Sequence, residues 1–183
     1  YREMAFVYYF WSKFGYNYKK SRLATFRGLD FHGKISKANP LYNEIVLNPF
    51  CLNPDNVNLY LNKIDMFSPE FLRGYPSAIA HFCQCMQHKG LSPKKPIKAV
   101  FLISENVYPF QVELIESTLG CKCHSFYGHS ERAVFAEEIE DGTYIPQKLY
   151  GYMELDGETD GKILCTGFIN KKMPLVRYDT GDY

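Results

Sequence analysis

Apolar residues recur at helical spacing in several stretches of the chain, with short strand-length runs between them. Met4, Val7, Tyr8, Trp11 and Phe14 mark one face of a helix over residues 2–14, stopped at Gly15. Residues 21–28 predict a strand closed by glycine, and residues 30–41, with Gly33, Asn39 and Pro40, a loop or small hairpin. Residues 44–50 predict a short apolar strand bounded by Pro49. Asn53-Pro54-Asp55 opens a helix running to about Phe67, with Val57, Leu59, Tyr60, Ile64 and Phe67 on one broad face. Residues 68–74 read as a connector, and residues 78–89 as a helix ended by Gly90. KAVFLI, residues 98–103, has the length and continuity of a buried parallel strand. A helix from Pro109 to Leu119 and a strand over 121–127 follow.

Beyond Val134 the pattern changes to short strands separated by turn signals at Asp141-Gly142, Asp156-Gly157 and Asp160-Gly161. Residues 163–166 and 175–178 are candidate paired strands. The expected fold is α/β: a mostly parallel sheet flanked by helices over residues 1–132, then a β-rich segment over 133–183. At 183 residues the chain suffices for one core, so both parts are read as pieces of one domain.

Composition narrows the function more than the fold. With 46% hydrophobic and 22% charged residues, the balance is that of a globular protein. A net charge of +1 argues against a nucleic-acid or anionic-membrane partner. No apolar run approaches the roughly 18–20 residues of a membrane span, and the apolar stretch 4–11 lacks signal-peptide architecture. The cysteines at 51, 83, 85, 121, 123 and 165 are too scattered for a secreted disulfide scaffold, which predicts a reduced, cytoplasmic setting. Tyr1 is no initiator, and the chain stops just after a glycine turn. It therefore reads as a piece of a longer polypeptide.

Tyr127-Gly128-His129-Ser130-Glu131 carries the most chemistry in the fewest residues. An aromatic face can stack on a base, and a glycine admits close backbone approach. A serine hydroxyl can donate to a phosphate, and a carboxylate is a hard oxygen ligand for Mg²⁺. Alone, such a stretch could equally be a polar strand-to-turn junction. It follows a predicted strand, however, as Ser104-Glu105 follows the strand at 98–103. Ligands of open parallel sheets bind beyond the carboxyl ends of strands. A second motif, Thr180-Gly181-Asp182, is a turn ending in a carboxylate that could accept both hydroxyls of a ribose, although such turns are commonly structural.

Taken together, GYPSAI (74–79), the SEN loop with YPFQVELIE (104–116), YGHSER (127–132) and NKKMPLVRYDTGD (170–182) resemble the adenylate-forming enzymes. Within that superfamily of acyl-CoA ligases they are most similar to the phenylacetate–CoA ligase group and its capsular polysaccharide biosynthesis branch. The resemblance covers nearly the whole chain and implies a fragment of the large N-terminal domain. It implies ATP and Mg²⁺ as cofactors, possible use of CoA, and a small carboxylic acid substrate, with a sugar or carrier as another acyl acceptor. It further implies that Tyr127 stacks on adenine beside Gly128, Ser130 contacts the α-phosphate, and Glu131 is the catalytic metal ligand. Ser104 and Glu105 would line the adenine side, and Asp182 would hold the ribose. Tyr75, Pro76, Ser77 and His129 would shape the acyl pocket.

The implied reaction activates a carboxylate as an acyl-adenylate and then passes the acyl group on. Its first step needs positioning and charge neutralisation more than a protein nucleophile. The family's glycine- and hydroxyl-rich phosphate loop and its C-terminal lid lie outside this sequence, so the 183-residue piece alone is expected to be inactive. Two positions depart from the pattern: Asp179 stands for the usual Arg, and Lys162 for the usual Glu beside Gly161. The first puts the electrostatics of the turn in question; the second is expected to matter little.

Other readings are weaker. Cys121, Cys123 and His124 alternate faces along a strand with no second ligand pair, and Cys83 and Cys85 point apart on a helix, so buried thiols are favoured over a metal site. No G-x-G-x-x-G follows a predicted strand, which sets a dinucleotide oxidoreductase aside. A relative that binds nucleotide or acyl compound without catalysis stays open, though the presence of Glu131 favours an enzyme.

Overall fold

The computed structural model describes residues 2–28, 31–140, 142–157 and 161–183. The predicted turn residues Asp30, Asp141 and Asp160 lie outside the described residues. Packing divides the chain into two compact units, Phe14–His124 and the segment up to Lys13 together with Ser125–Tyr183. That division differs from the boundary at 132/133 drawn from the change to short strands and turns. The chain opens with α1 (Arg2–Ser12), whose apolar face is used by strands more than a hundred residues away. Local periodicity identifies such a face but not its partner.

In the Phe14–His124 unit, β1 (Leu23–Phe26), β2 (Ser36–Asn39) and β3 (Glu44–Leu47) are followed by α2 (Val57–Phe67) and β4 (Phe71–Gly74). Then come α3 (Pro76–His88), β5 (Ala99–Leu102) and α4 (Pro109–Leu119). The sheet runs β2-β3-β1-β4-β5, parallel except for β2, which forms an antiparallel edge hairpin with β3. Alternation decides the two faces. Ala24, Phe26, Leu47, Leu72, Val100 and Leu102 pack with Tyr60 and Ile64 of α2, Ile79, Phe82 and Met86 of α3, and Ile115 of α4. On the other face, Tyr16 lies edge-on to Phe71 and Phe101. That face also carries a buried charge. Glu44 accepts from Thr25 Oγ1 at 2.5 Å, Asn39 Nδ2 at 2.8 Å and Arg73 Nη2 at 3.2 Å, which offsets the cost of desolvating its carboxylate.

Several sequence expectations change. The supposed connector 68–74 contains β4, a central strand with Phe71 and Leu72 almost fully buried. Four residues are too few for periodicity to reveal it. Helix α2 starts only at Val57, because the Asn53 carboxamide oxygen accepts the N–H groups of Asp55 and Asn56 and closes a separate turn first. On α2, Leu61 rather than Leu59 faces the core; Leu59 is 55% exposed. The capped helix α4 matches its predicted bounds, from Pro109 to a left-handed Gly120.

The second unit joins α1 to β6 (Lys122–Gly128), β7 (Phe135–Glu140) and β8 (Thr143–Pro146), an antiparallel ladder from Phe126 onward. Phe6 and Phe10 of α1 pack against Phe126, Phe135 and Tyr150 at ring separations of 5.0–6.4 Å. A separate antiparallel sheet holds β9 (Gly151–Asp156), β10 (Lys162–Gly167) and β11 (Tyr178–Asp179). The predicted strand over 175–178 is thus interrupted by bends at Val176 and Arg177, although the Leu175 carbonyl accepts the Gly167 N–H at 3.0 Å. Only Tyr178 and Asp179 pair with β10, because the Arg177 N–H is taken by the Thr166 hydroxyl.

Candidate functional site

Strand β6 ends at Gly128, so the motif residues 129–131 leave the sheet at its carboxyl end, as the sequence implies. The loop that follows turns back through an Arg132 N–H to His129 carbonyl bond of 3.0 Å, with Arg132 itself left-handed and its guanidinium on Glu3 of α1. Two glycines seat this loop. Gly151 and Gly167 stand directly opposite on β9 and β10. A Cβ on Gly151 would fall 2.0 Å from the Ala133 carbonyl oxygen, and one on Gly167 3.0 Å from Ala133 Cα. With both side chains absent, Ala133 and Val134 bury against Cys165, flanked by Tyr127, Met153, Leu175 and Tyr178.

Two side-chain pairs form above this seat. The Tyr127 hydroxyl donates to Asp182 Oδ2 at 2.7 Å. Asp182 is held there by the turn: its N–H donates to Thr180 Oγ1, its carbonyl accepts the Ile163 N–H, and Gly181 supplies the positive φ of 80°. Burial, reinforced by the Asp182 charge, pushes the Tyr127 phenol up to about 12, so it stays protonated and donates. The second pair is His129 and Glu131, with Nδ1 2.8 Å from Oε2. The other ring nitrogen, Nε2, lies 3.5 Å from the Cys165 Sγ. Glu131's own backbone N–H and the His129 ring both hold its carboxyl below the ordinary range, so it is ionised at neutral pH. Cys165 is fully buried, and burial together with the nearby Glu131 charge pushes its thiol up to about 11.

Ser130 is exposed at the tip of the loop. Gly128 is exposed too, and its surroundings make no demand for glycine. An added Cβ would meet nothing closer than the Val134 carbonyl at 3.4 Å, and its φ is not positive.

The remaining sequence candidates lie in the other unit. Gly74 ends β4 so close to β1 that a Cβ would sit 2.7 Å from the Phe26 carbonyl. Because β1 lies between β3 and β4, the carboxyl ends of β1 and β4 form the switch point at which doubly wound sheets bind ligands. Tyr75, buried Pro76 and exposed Ser77 follow directly as the start of α3. Glu105 Oε2 accepts the Ser77 N–H at 3.2 Å, placing a carboxylate on the positive end of that helix. Ser104 beside it is left-handed, with φ 64°.

The two departures from the family pattern prove to be partners. Lys162 Nζ lies 3.0 Å from Asp179 Oδ2, and Asp179 Oδ1 accepts the Gly181 N–H at 3.0 Å. The pair is exposed on both sides, so its own contribution to stability is small. Sequence reading did not single out Cys165, whose contact with His129 spans 36 residues. The expectation of buried thiols holds for Cys83 and Cys85. Among the described residues, no cluster of three or more His, Cys, Asp or Glu could hold a metal ion, and no helix is long and apolar enough to cross a membrane.

Comparison with known proteins gives two kinds of likeness. No protein-family model matches the chain. Protein CapK of Staphylococcus aureus is 26% identical over 147 residues, covering 79% of this chain and 32% of CapK. The chain thus spans about a third of that relative's length. Among solved structures, 2-hydroxyisobutyryl-CoA ligase in the postadenylation state with R3-HIB-AMP superposes with a TM-score of 0.68, at 16% identity, over 94% of this chain and 40% of the ligase. An open conformation of the same ligase with 2-HIB-AMP and CoA gives 0.64 at 15% identity, over 88% and 39%. At such identities the likeness establishes the fold.

Proposed function

We propose, from the premise that this chain is a CapK homologue with the fold of part of an adenylate-forming CoA ligase, that it is the nucleotide-binding part of an ATP-dependent acyl-activating enzyme. In the whole protein a small carboxylate attacks the α-phosphate of ATP, forming an acyl-adenylate as pyrophosphate leaves. It then hands the acyl group to CoA or to another acceptor such as a sugar or carrier, in the cytoplasm and in the service of capsular polysaccharide synthesis. The observation that carries this reading is the meeting of Tyr127 and Asp182 at 2.7 Å across 55 residues. A nucleoside needs an aromatic face for its base and a carboxylate for its ribose as neighbours, and these two residues are neighbours.

Within that reading Tyr127 stacks on the adenine, Asp182 accepts from the ribose hydroxyls, and the Gly128 backbone passes beside the base. Ser130 donates to the α-phosphate. Ser104 and Glu105 serve the adenine side. Tyr75, Pro76 and Ser77 in one unit, and His129 in the other, are each candidates for contact with the acyl substrate; the His129 ring also holds Glu131. The Glu131 carboxylate is ionised, half-exposed and a hard oxygen donor, which fits Mg²⁺. When bound there, the ion would neutralise charge on the phosphates. The chain's own contribution is to hold the reacting groups in place; the proposed chemistry calls for no protein nucleophile.

Calorimetric titration of ATP and AMP with Mg²⁺ into this chain and into Asp182→Ala tests the reading. Binding by the parent that is lost in the variant supports it. Equal binding by both, or binding by neither, counts against a nucleotide site at this turn. The rival reading, a binding relative without catalysis, predicts the same titration but no carboxylate-dependent ATP–pyrophosphate exchange by the whole protein.

A further inference from the structure

Cys165, His129 and Glu131 come from the middle of β10 and the loop after β6, yet their polar atoms fall in one line: Sγ, 3.5 Å, Nε2; then Nδ1, 2.8 Å, Oε2. The direction of that line follows from what each group can do. An ionised carboxylate only accepts, so Nδ1 must carry the ring proton and donate. In the ring's Nδ1–H form Nε2 is the acceptor, and the thiol 3.5 Å away is the donor that faces it. A fully buried, protonated thiol meets that requirement and is unsuited to act as a nucleophile. We propose that His129, donating from Nδ1 to Glu131 and accepting at Nε2 from Cys165, is a positioning residue that orients the Glu131 carboxylate, and that Cys165 is a positioning residue that braces the ring.

The inference rests on the reading of Glu131 as the group that takes Mg²⁺, and extends it to residues that never touch the ion. One oxygen of Glu131 is engaged by the ring while the side chain stays 39% exposed. The rotation of the carboxylate is thereby limited from the protein side, and its outer side is left for the ligand. Hydrogen-bond partners behind a metal-binding carboxylate typically change metal affinity 10–100-fold. The seat made by Gly151 and Gly167 packs Ala133 and Val134 of the loop against Cys165, so the loop that carries His129 is placed by packing as well as by hydrogen bonds.

The first measurement needs no nucleotide. In the ¹⁵N-resolved histidine spectrum of the chain, with His129 identified by its absence from His129→Gln, protonated Nδ1 and bare Nε2 are expected. A protonated Nε2 would overturn the proposal. Cys165→Ser, which keeps a donor, should leave the Nε2 resonance nearly in place, and Cys165→Ala, which removes the donor, should shift it; an unchanged Nε2 resonance in Cys165→Ala would remove Cys165 from the relay. If either cysteine variant fails to fold, the parent spectrum still decides the direction of the line. A second arm measures how far Mg²⁺ strengthens ATP binding. His129→Gln should lose about tenfold of that gain. His129→Asn, whose amide N–H stands near the Nδ1 position, should keep most of it. Equal loss in both variants would refute positioning through Nδ1. Absence of ATP binding by the parent would instead defeat the nucleotide reading, with the tautomer still measured independently.

Discussion

At the residue scale the informative positions are those where the fold's own needs and a ligand's needs can be separated. Gly128 is one. Its φ is ordinary and an added Cβ clears its neighbours, so Gly128→Ala is expected to leave the melting temperature unchanged while weakening AMP binding. A loss of stability without loss of affinity would make the glycine structural. Tyr127 separates ring from hydroxyl: Tyr127→Phe keeps the stacking face but releases Asp182, and should weaken ATP binding less than Tyr127→Ala. Base stacking is worth about 1–3 kcal/mol, which sets the expected gap between the two variants. The Lys162–Asp179 pair makes a third separation. Asp179→Arg alone opposes like charges across the turn, whereas Asp179→Arg with Lys162→Glu restores a pair. Nucleotide affinity should fall in the single variant and recover in the double.

At the scale of elements, glycines and buried carboxylates set how strands and loops meet. Gly151→Ala would drive a methyl into the Ala133 carbonyl, a backbone atom that cannot swing away. Overpacking of this kind costs about 1–3 kcal/mol. A fall in melting temperature on the order of 5–10 °C is expected, together with loss of nucleotide binding, because the loop bearing Glu131 is what moves. Glu70 ties the entries of three strands: its backbone pairs with Arg22 and Lys98, and its side chain accepts from Lys98 Nζ at 2.7 Å. That bond holds the Glu70 carboxyl below its ordinary value. A depressed folded value means stability that is complete above the unfolded glutamate pKa of about 4.3 and is lost as pH falls through the folded one. Denaturation of Glu70→Gln against the parent should therefore differ at pH 6 and converge toward pH 3.

On the scale of the whole chain, a net charge of +1 gives little long-range attraction, so the proposed nucleotide site relies on specific side chains. In the whole protein, Glu131→Gln is expected to slow carboxylate-dependent ATP–pyrophosphate exchange by about 10²-fold, the usual cost of removing one electrostatic stabiliser. Undiminished exchange would take Glu131 out of the metal-binding role.

Much of this was open to reading along the chain. Helix α4 was legible to the residue because Pro109 and Gly120 punctuate it, and the carboxyl end of β6 was legible because Gly128 and the polar residues after it close the strand. The parallel α/β class followed from KAVFLI and the helices around it. These are local signals: periodicity, caps and turn residues act over a few positions, so sequence alone determined them. Pairing across distance was decided only by tertiary structure. The apolar face of α1 found Phe126, Phe135 and Tyr150; β4 became a central strand although its four residues read as a connector; Lys162 met Asp179; and Cys165 met His129. Each depends on which strands lie side by side and which glycines let them approach, and no window along the chain contains both partners.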